Sequence, residues 1–168
     1  MARRRELLTW QDVEALIDHL VPQFQGAFEA MVIITRGGII PGGMLGEALD
    51  IKDILTAAVD FPFEMQGDDA KLFAWPKFIQ FPDDSQLAGR RVLVVDDVWG
   101  SGRTITAVKN RVAAAGGIPF TCVLHFNPYR SLFAQAEPDY YAAITDAHIV
   151  FPWEAERGAN KVLLDEPD

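Results

Sequence analysis

One stretch constrains this chain more than any other: Val92-Leu93-Val94-Val95-Asp96-Asp97-Val98-Trp99-Gly100-Ser101-Gly102-Arg103-Thr104. Its unbroken apolar run has no polar face, so it suits a strand covered on both sides, as in a parallel sheet. The two carboxylates that follow then fall at the strand's carboxyl end, where open α/β sheets bind their ligands. Gly100, Ser101, Gly102 and Thr104 can fold backbone N–H groups round an anion. The helix-like segment beyond them turns its positive end toward the same place. Carboxylates for a metal-bound or hydroxylated group therefore stand beside a cradle for phosphate.

The remainder of the chain agrees with a parallel sheet. Thr9 and Asp12 form a capping-box pattern, with Asp in place of the usual Glu. Val13, Leu16, Ile17, Leu20 and Val21 repeat at helical spacing up to Pro22. Residues 31–34 read as a short buried strand running into Thr35-Arg36-Gly37-Gly38, and Pro41 opens a helix to about Leu49. Residues 54–61 read as a second strand. From 62 to 89 the periodicity fades, apart from a short strand near 78–81. Such a segment is either a functional lid or a disordered insert. Beyond the opening stretch, Ile105, Val108 and Val112 mark a helix that stops at Gly116-Gly117. Residues 120–126 form a strand, Asn127-Pro128-Tyr129-Arg130 a loop, and 140–144 and 149–151 short strands at most. The tail over 156–168 is weakly structured. Strand and helix alternate as in a sheet with helices on both faces.

Composition narrows the function classes. The chain has 168 residues, enough for one domain with a substantial core. Acidic residues outnumber basic ones 24 to 15, for a formal charge of −9, which argues against broad nucleic-acid binding. Arg3-Arg4-Arg5 is the one dense basic cluster and reads as a solvated tail. The single cysteine, Cys122, lies in an apolar run and fits a core position in a reducing cytoplasm. No stretch has membrane-spanning length or a signal-peptide pattern.

The opening stretch resembles the phosphoribosyl-pyrophosphate (PRPP) signature of type I phosphoribosyltransferases: apolar run, two acids, spacer, then Ser/Thr-Gly-x-Thr. Thr35-Arg36-Gly37-Gly38 with Ile39-Ile40-Pro41 is similar to the pyrophosphate loop of the xanthine-guanine branch and of archaeal purine phosphoribosyltransferases. Trp10-Gln11-Asp12-Val13 resembles the opening helix of the archaeal enzymes. Asp139-Tyr140-Tyr141-Ala142 and Ile149-Val150-Phe151-Pro152-Trp153-Glu154 resemble their closing segments. The likeness spans about 8–154 of a single domain over 1–168. It implies a three-layer α/β fold: a mainly parallel central sheet, helices on both faces, and a small hood built from the C-terminal part.

The same resemblance implies a Mg²⁺-dependent transfer of the phosphoribosyl group from PRPP to guanine, xanthine or hypoxanthine, in the cytoplasm, by a dimer or tetramer. Asp96 and Asp97 would hold the ribose hydroxyls, directly or through magnesium. Gly100, Ser101, Gly102, Arg103 and Thr104 would form the 5-phosphate loop. Arg36 and Gly37 would meet the pyrophosphate, at a loop peptide that is often cis in the family. Asp97 and Glu154 would be metal ligands, and residues 62–89 the lid that keeps water from PRPP. Asn127, His148 and Ile149 would line the base site, Ile149 through its backbone.

Three of these positions depart from the family's pattern. Gly100 stands where 6-oxopurine enzymes keep an aspartate facing N7. It either supplies loop flexibility alone or marks a different handling of the base, since glycine exchanges no proton. Asn127 stands where a lysine is common, and an amide can donate or accept but brings no charge. His148 stands where an aromatic ring stacks; it is either structural or a smaller, pH-dependent stacking surface. The sugar-phosphate half of the site is intact and the base half is altered. The alternative is a regulatory PRPP- or nucleotide-binding protein of the same fold, and the plainest is a pair of aspartates that merely cap a turn.

Overall fold

The computed structural model describes residues 3–62 and 75–157. Eight strands and four helices make up this part, beside two short 3₁₀ turns at Val21–Gln23 and Asp84–Gln86. The strands are β1 (Arg5–Leu7), β2 (Ala30–Ile34), β3 (Ile54–Asp60), β4 (Lys77–Gln80), β5 (Arg91–Trp99), β6 (Ile118–Phe126), β7 (Tyr140–Ile144) and β8 (His148–Val150). The helices are α1 (Trp10–Leu20), α2 (Ile39–Ala48), α3 (Arg103–Ala114) and α4 (Pro152–Arg157). Among the described residues no helix is long and apolar enough to cross a membrane.

Six strands form the main sheet in the order β4-β3-β2-β5-β6-β7. All neighbours run parallel except β4, which pairs antiparallel with β3 at the edge. Val92, Leu93, Val94 and Val95 are each 0% exposed, as a central strand covered on both faces requires. Successive residues feed opposite cores. Met31, Ile33, Leu93, Val95, Cys122 and Leu124 pack with Val13, Ile17 and Leu20 of α1 and Leu45 of α2. Ala30, Val32, Val92, Val94 and Val123 pack with Ile105, Val108 and Val112 of α3. The fold is the expected three-layer α/β arrangement.

Local chemistry sets the helix ends. The Thr9 side chain accepts from Asp12 N while Asp12 accepts from Thr9 N, so the capping box forms with Asp at its third position. Helix α2 begins at Ile39, two residues before Pro41, with Gly38 as its N-cap.

Three expectations change. First, the Arg3-Arg4-Arg5 region is not simply a solvated tail. Arg5–Leu7 pairs in parallel with His148–Val150, and the exposed Arg4 forms an ion pair with Asp146 at 2.5 Å. The hood thus takes one strand from each end of the chain. Second, the described part of the 62–89 segment, read as either a lid or a disordered insert around a short strand, is built into the body. Lys77–Gln80 is the sheet's edge strand, Asp84–Gln86 a capped turn, and Leu87 is fully buried in the α3-side core. Residues 63–74 of that segment lie outside the described residues. Third, the tail begins as helix α4, and Glu156 accepts a hydrogen bond from Trp10 Nε1 at 3.5 Å. Residues 158–168 lie outside the described part.

Candidate active site

The carboxyl ends of β2 and β5, side by side in the sheet, carry the first half of the site. On β5 the Asp96 carboxylate accepts from Asp97 N at 2.9 Å, and Asp97 Oδ1 accepts from Val98 N at 2.7 Å. Both groups are pushed up from the ordinary carboxylate range. Burial is the main cause for each; the negative charge of Asp97 adds to the rise at Asp96, and that of Glu154 adds to the rise at Asp97. Glu154 therefore shares the electrostatic environment of the pair, although it is itself exposed on α4. There Glu154 Oε2 also accepts from Phe151 N at 3.0 Å, capping its own short helix.

The loop after β2 closes over this pair. The Thr35–Arg36 peptide is cis, as the resemblance implies. Gly37 lies against the acid: a Cβ there would fall 2.5 Å from Asp97 Cγ and 2.6 Å from each carboxylate oxygen. A glycine is thus required by close approach of backbone to carboxylate. Arg36 is exposed at the rim.

The loop after β5 leads into α3. Gly102 is the helix N-cap at φ +81, a conformation that side chains with a Cβ disfavour. A Cβ at Gly102 would meet Trp99 Nε1 at 2.2 Å, so the buried indole sits directly under the turn. Ser101 Oγ accepts from Arg103 N at 3.3 Å. The first turn of α3, with Arg103 and Thr104, opens toward the same end of β5 as the carboxylates, giving the positive pole expected for a phosphate. Arg103 also lies over the Phe61 ring, 4.6 Å from its centroid.

The base-side residues are less uniform. Asn127 is 2% exposed, its N–H bonded to Trp99 O at 2.9 Å, and its side-chain Oδ1 has no donor among the described residues. His148 is exposed on β8. Its N–H donates to Arg4 O, and Val150 O accepts from Leu8 N, so alternate residues of β8 bond to β1. Ile149 between them turns its backbone groups away from β1, with its side chain in the α1-side core. That leaves its backbone free to meet a ligand while the side chain anchors the strand.

Some neighbours of the site had no role assigned to them from the sequence. Trp99 donates to Ser131 Oγ at 3.1 Å and packs edge-on against Phe126. Trp153 stacks on Phe151 at 4.5 Å, and Phe151 meets His125. Burial pushes the His125 imidazole down to about 4, so it is neutral, and its Nδ1 lacks a partner among the described residues. Arg130 approaches Gly100. Trp99 and Trp153 stood in family-like segments but with no role of their own, and Arg130 was legible only as part of a loop.

A mainly parallel sheet with paired acids and a phosphate-type loop at the end of one strand is the architecture of the type I phosphoribosyltransferases. The comparisons agree. The chain is 31% identical to the xanthine-guanine phosphoribosyltransferase of Roseobacter denitrificans over 137 residues, 77% of this chain and 70% of that protein. It is 30% identical over 159 residues to the same-named protein of a Ruegeria species, 90% of this chain and 80% of that one. Among solved structures, the purine phosphoribosyltransferase of Pyrococcus horikoshii superposes with a TM-score of 0.73 at 28% identity, covering 89% of this chain and 93% of that one. No family model matches the sequence. The chain belongs to the family of the xanthine-guanine phosphoribosyltransferases, and it is an enzyme.

Proposed function

We propose that this enzyme transfers the 5-phosphoribosyl group of PRPP to a 6-oxopurine (guanine, xanthine or hypoxanthine), releasing pyrophosphate and a nucleoside monophosphate. The observation that carries the site assignment is the contact of Gly37 with the Asp97 carboxylate, which joins the pyrophosphate-type loop to the acids at the end of β5.

In this reading, backbone donors of Ser101, Gly102, Arg103 and Thr104 at the start of α3 hold the 5-phosphate. Asp96 and Asp97 face the ribose hydroxyls, and Arg36 with the Gly37 N–H faces the pyrophosphate. Asn127 and the Ile149 backbone line the base. A ring nitrogen donates its lone pair to the anomeric carbon as the carbon–oxygen bond to pyrophosphate breaks, its electron pair leaves with the pyrophosphate, and the surplus ring proton of the base passes to solvent. The carboxylates suit the positive charge that builds on the ribose, and Arg36 suits the negative charge on the leaving group.

The donor set fits magnesium. Among the described residues no group of three or more His, Cys, Asp or Glu side chains is placed to hold a metal ion. A cation that takes few carboxylates and completes its shell with phosphate oxygens and water matches this arrangement, with Asp97 and Glu154 the acids the resemblance offers it. Bound there, magnesium would neutralise the pyrophosphate oxygens. The single-domain organisation rests on chain length, the cytoplasmic setting on the lone buried cysteine, and the dimer or tetramer on the family resemblance.

The test is nucleotide formation over a panel of purines and pyrimidines with PRPP and Mg²⁺. Product from 6-oxopurines, with stoichiometric pyrophosphate, supports the reading; no nucleotide from any base while PRPP still binds refutes it.

A further inference from the structure

Residues 127–132 are fastened to the phosphate-type loop rather than hanging free. Asn127 N donates to Trp99 O at 2.9 Å, Trp99 Nε1 to Ser131 Oγ at 3.1 Å, and Leu132 N to Ser101 O at 2.9 Å. Within the segment, Arg130 N donates to Asn127 O at 3.3 Å. The result is that Arg130 stands over Gly100. A Cβ at Gly100 would meet one group within 4 Å, the Arg130 Nη1 at 3.7 Å. Otherwise that face of the loop is open. The Arg130 side chain makes no hydrogen bond and no ion pair among the described residues. Beside it in the same segment, the buried Asn127 Oδ1 lacks a donor.

We propose that Arg130 is a specificity-determining residue of the acceptor site: its guanidinium, held over the open face of Gly100, donates to the purine and favours the base in its deprotonated, anionic form. This rests on the phosphoribosyl-transfer reading above. A guanidinium stays charged at any working pH and binds an anion by charge-assisted hydrogen bonds. Arg130 is an exposed residue; partial desolvation and then the charge of Arg3, from the arm that precedes β1, hold it below its ordinary range, so Arg3 adds a second positive charge here. Of the oxopurines, xanthine loses a ring proton most readily near neutral pH, whereas hypoxanthine remains neutral. With an anionic base the chemistry balances without a general base on Gly100. The proton has already passed to solvent, a ring nitrogen lone pair forms the bond to the anomeric carbon, and pyrophosphate leaves with the electron pair of the broken bond.

The charged group that acts on Arg130 is Arg3 of the N-terminal arm; the acids of the site lie on β5 (Asp96 and Asp97) and α4 (Glu154). Comparing two bases on the same protein cancels whatever affects both alike, so the difference between them reads the effect of Arg130. The experiment measures KM for xanthine, hypoxanthine and PRPP across the neutral range, in the wild type, Arg130→Met and Arg130→Lys. Arg130→Met should raise KM for xanthine about tenfold, and move the pH midpoint of xanthine use up by about one unit. KM for hypoxanthine and for PRPP should change by less than about threefold. Arg130→Lys, which keeps the charge, should hold the midpoint near the wild-type value.

An unchanged xanthine-to-hypoxanthine ratio in Arg130→Met overturns the proposal, as does a loss confined to PRPP. Calorimetric titration with the xanthine and hypoxanthine nucleoside monophosphates reads the same preference without turnover. Tighter binding of the xanthine nucleotide that disappears in Arg130→Met supports the proposal, and equal binding of the two overturns it. A wild type that forms no nucleotide from any base refutes the transfer reading separately.

Discussion

Gly37→Ala tests the contact on which the site is built. The added Cβ would lie 2.5–2.6 Å from three atoms of the Asp97 carboxyl group, closer than real Cβ contacts come. Either the loop or the carboxylate must yield by roughly an ångström. The loop has little room, because a Cβ on the next residue, Gly38, would already press against Val95 O at 2.4 Å and Ile34 O at 2.8 Å. The carboxylate is therefore the part expected to turn. Turning weakens the 2.7 Å bond that Asp97 Oδ1 accepts from Val98 N. A hydrogen bond to a charged group is worth about 1.5–3 kcal/mol. At about 1.4 kcal/mol per factor of ten, kcat/KM for PRPP should fall about 10–100-fold, the loss that displacing a positioning group by an ångström typically causes.

The assay is steady-state nucleotide formation with PRPP varied and the base saturating, alongside a thermal melt. The melt should fall by no more than about 10 °C, leaving a folded protein at assay temperature. Gly43→Ala is the matched control. It adds the same methyl to an exposed position of α2 with nothing within 4 Å, so it should leave kinetics unchanged and gain about 0.5–1 kcal/mol of stability from helix propensity. Wild-type kcat/KM for PRPP in a folded Gly37→Ala protein would refute the reasoning. A loss seen only in KM for the base would show that the loop, not Asp97, had moved.

Other substitutions probe the rest of the site. Asp97→Asn should weaken PRPP binding in the presence of Mg²⁺ by about tenfold or more, yet leave the ligand-free melting temperature equal or higher, because it removes a charge that burial disfavours; titration calorimetry and a melt read the two effects. Gly102→Ala places a Cβ 2.2 Å from the Trp99 indole at φ +81, and should cost roughly 3 kcal/mol or more as the ring leaves Ser131; a melt followed by tryptophan fluorescence checks it. The raised Asp96 and Asp97 bind protons more tightly folded than unfolded, so their contribution to ligand-free stability grows as pH falls from their folded range toward about 4 and is flat below it; the melting-temperature gap between Asp96→Asn/Asp97→Asn and the wild type should narrow on acidification.

The parts legible in the sequence are those where one local rule decides. Four consecutive apolar residues can satisfy burial on both faces only in a central strand, and Val92, Leu93, Val94 and Val95 do so completely. Thr9 and Asp12 cap α1 because both bonds lie within three residues. The hood was not legible in this way. Arg5, Glu6 and Leu7 are all exposed and have no apolar period; main-chain bonds to residues far along the chain make them a strand. The edge strand Lys77–Gln80 is mostly exposed, and the sequence showed a short strand near 78–81 without its place at the edge of the sheet. Arg130 reaches the site through hydrogen bonds between two loops, and loops carry no period from which such a meeting could be read. Glu154 stood in the motif as a metal ligand, and its capping bond to Phe151 N became visible only with α4 formed.

The charge distribution explains why local placement matters more here than composition. A chain with formal charge −9 repels a polyanionic substrate at long range, and acids at the floor of the cleft add to that locally. Beyond about 8 Å, physiological salt screens most of this field. In the proposed reading, recognition then falls to short-range donors: the start of α3, exposed Arg36 and Arg130 over Gly100. On that reading the acids can remain close to the reacting carbon, where the ribose gains positive charge, instead of being replaced by residues that would attract PRPP from afar. Moving a further arginine onto the floor beside Asp97 would tighten ground-state binding of phosphate. It would also pair with the carboxylate that has to face the developing cation, so affinity would rise at the expense of the step that follows.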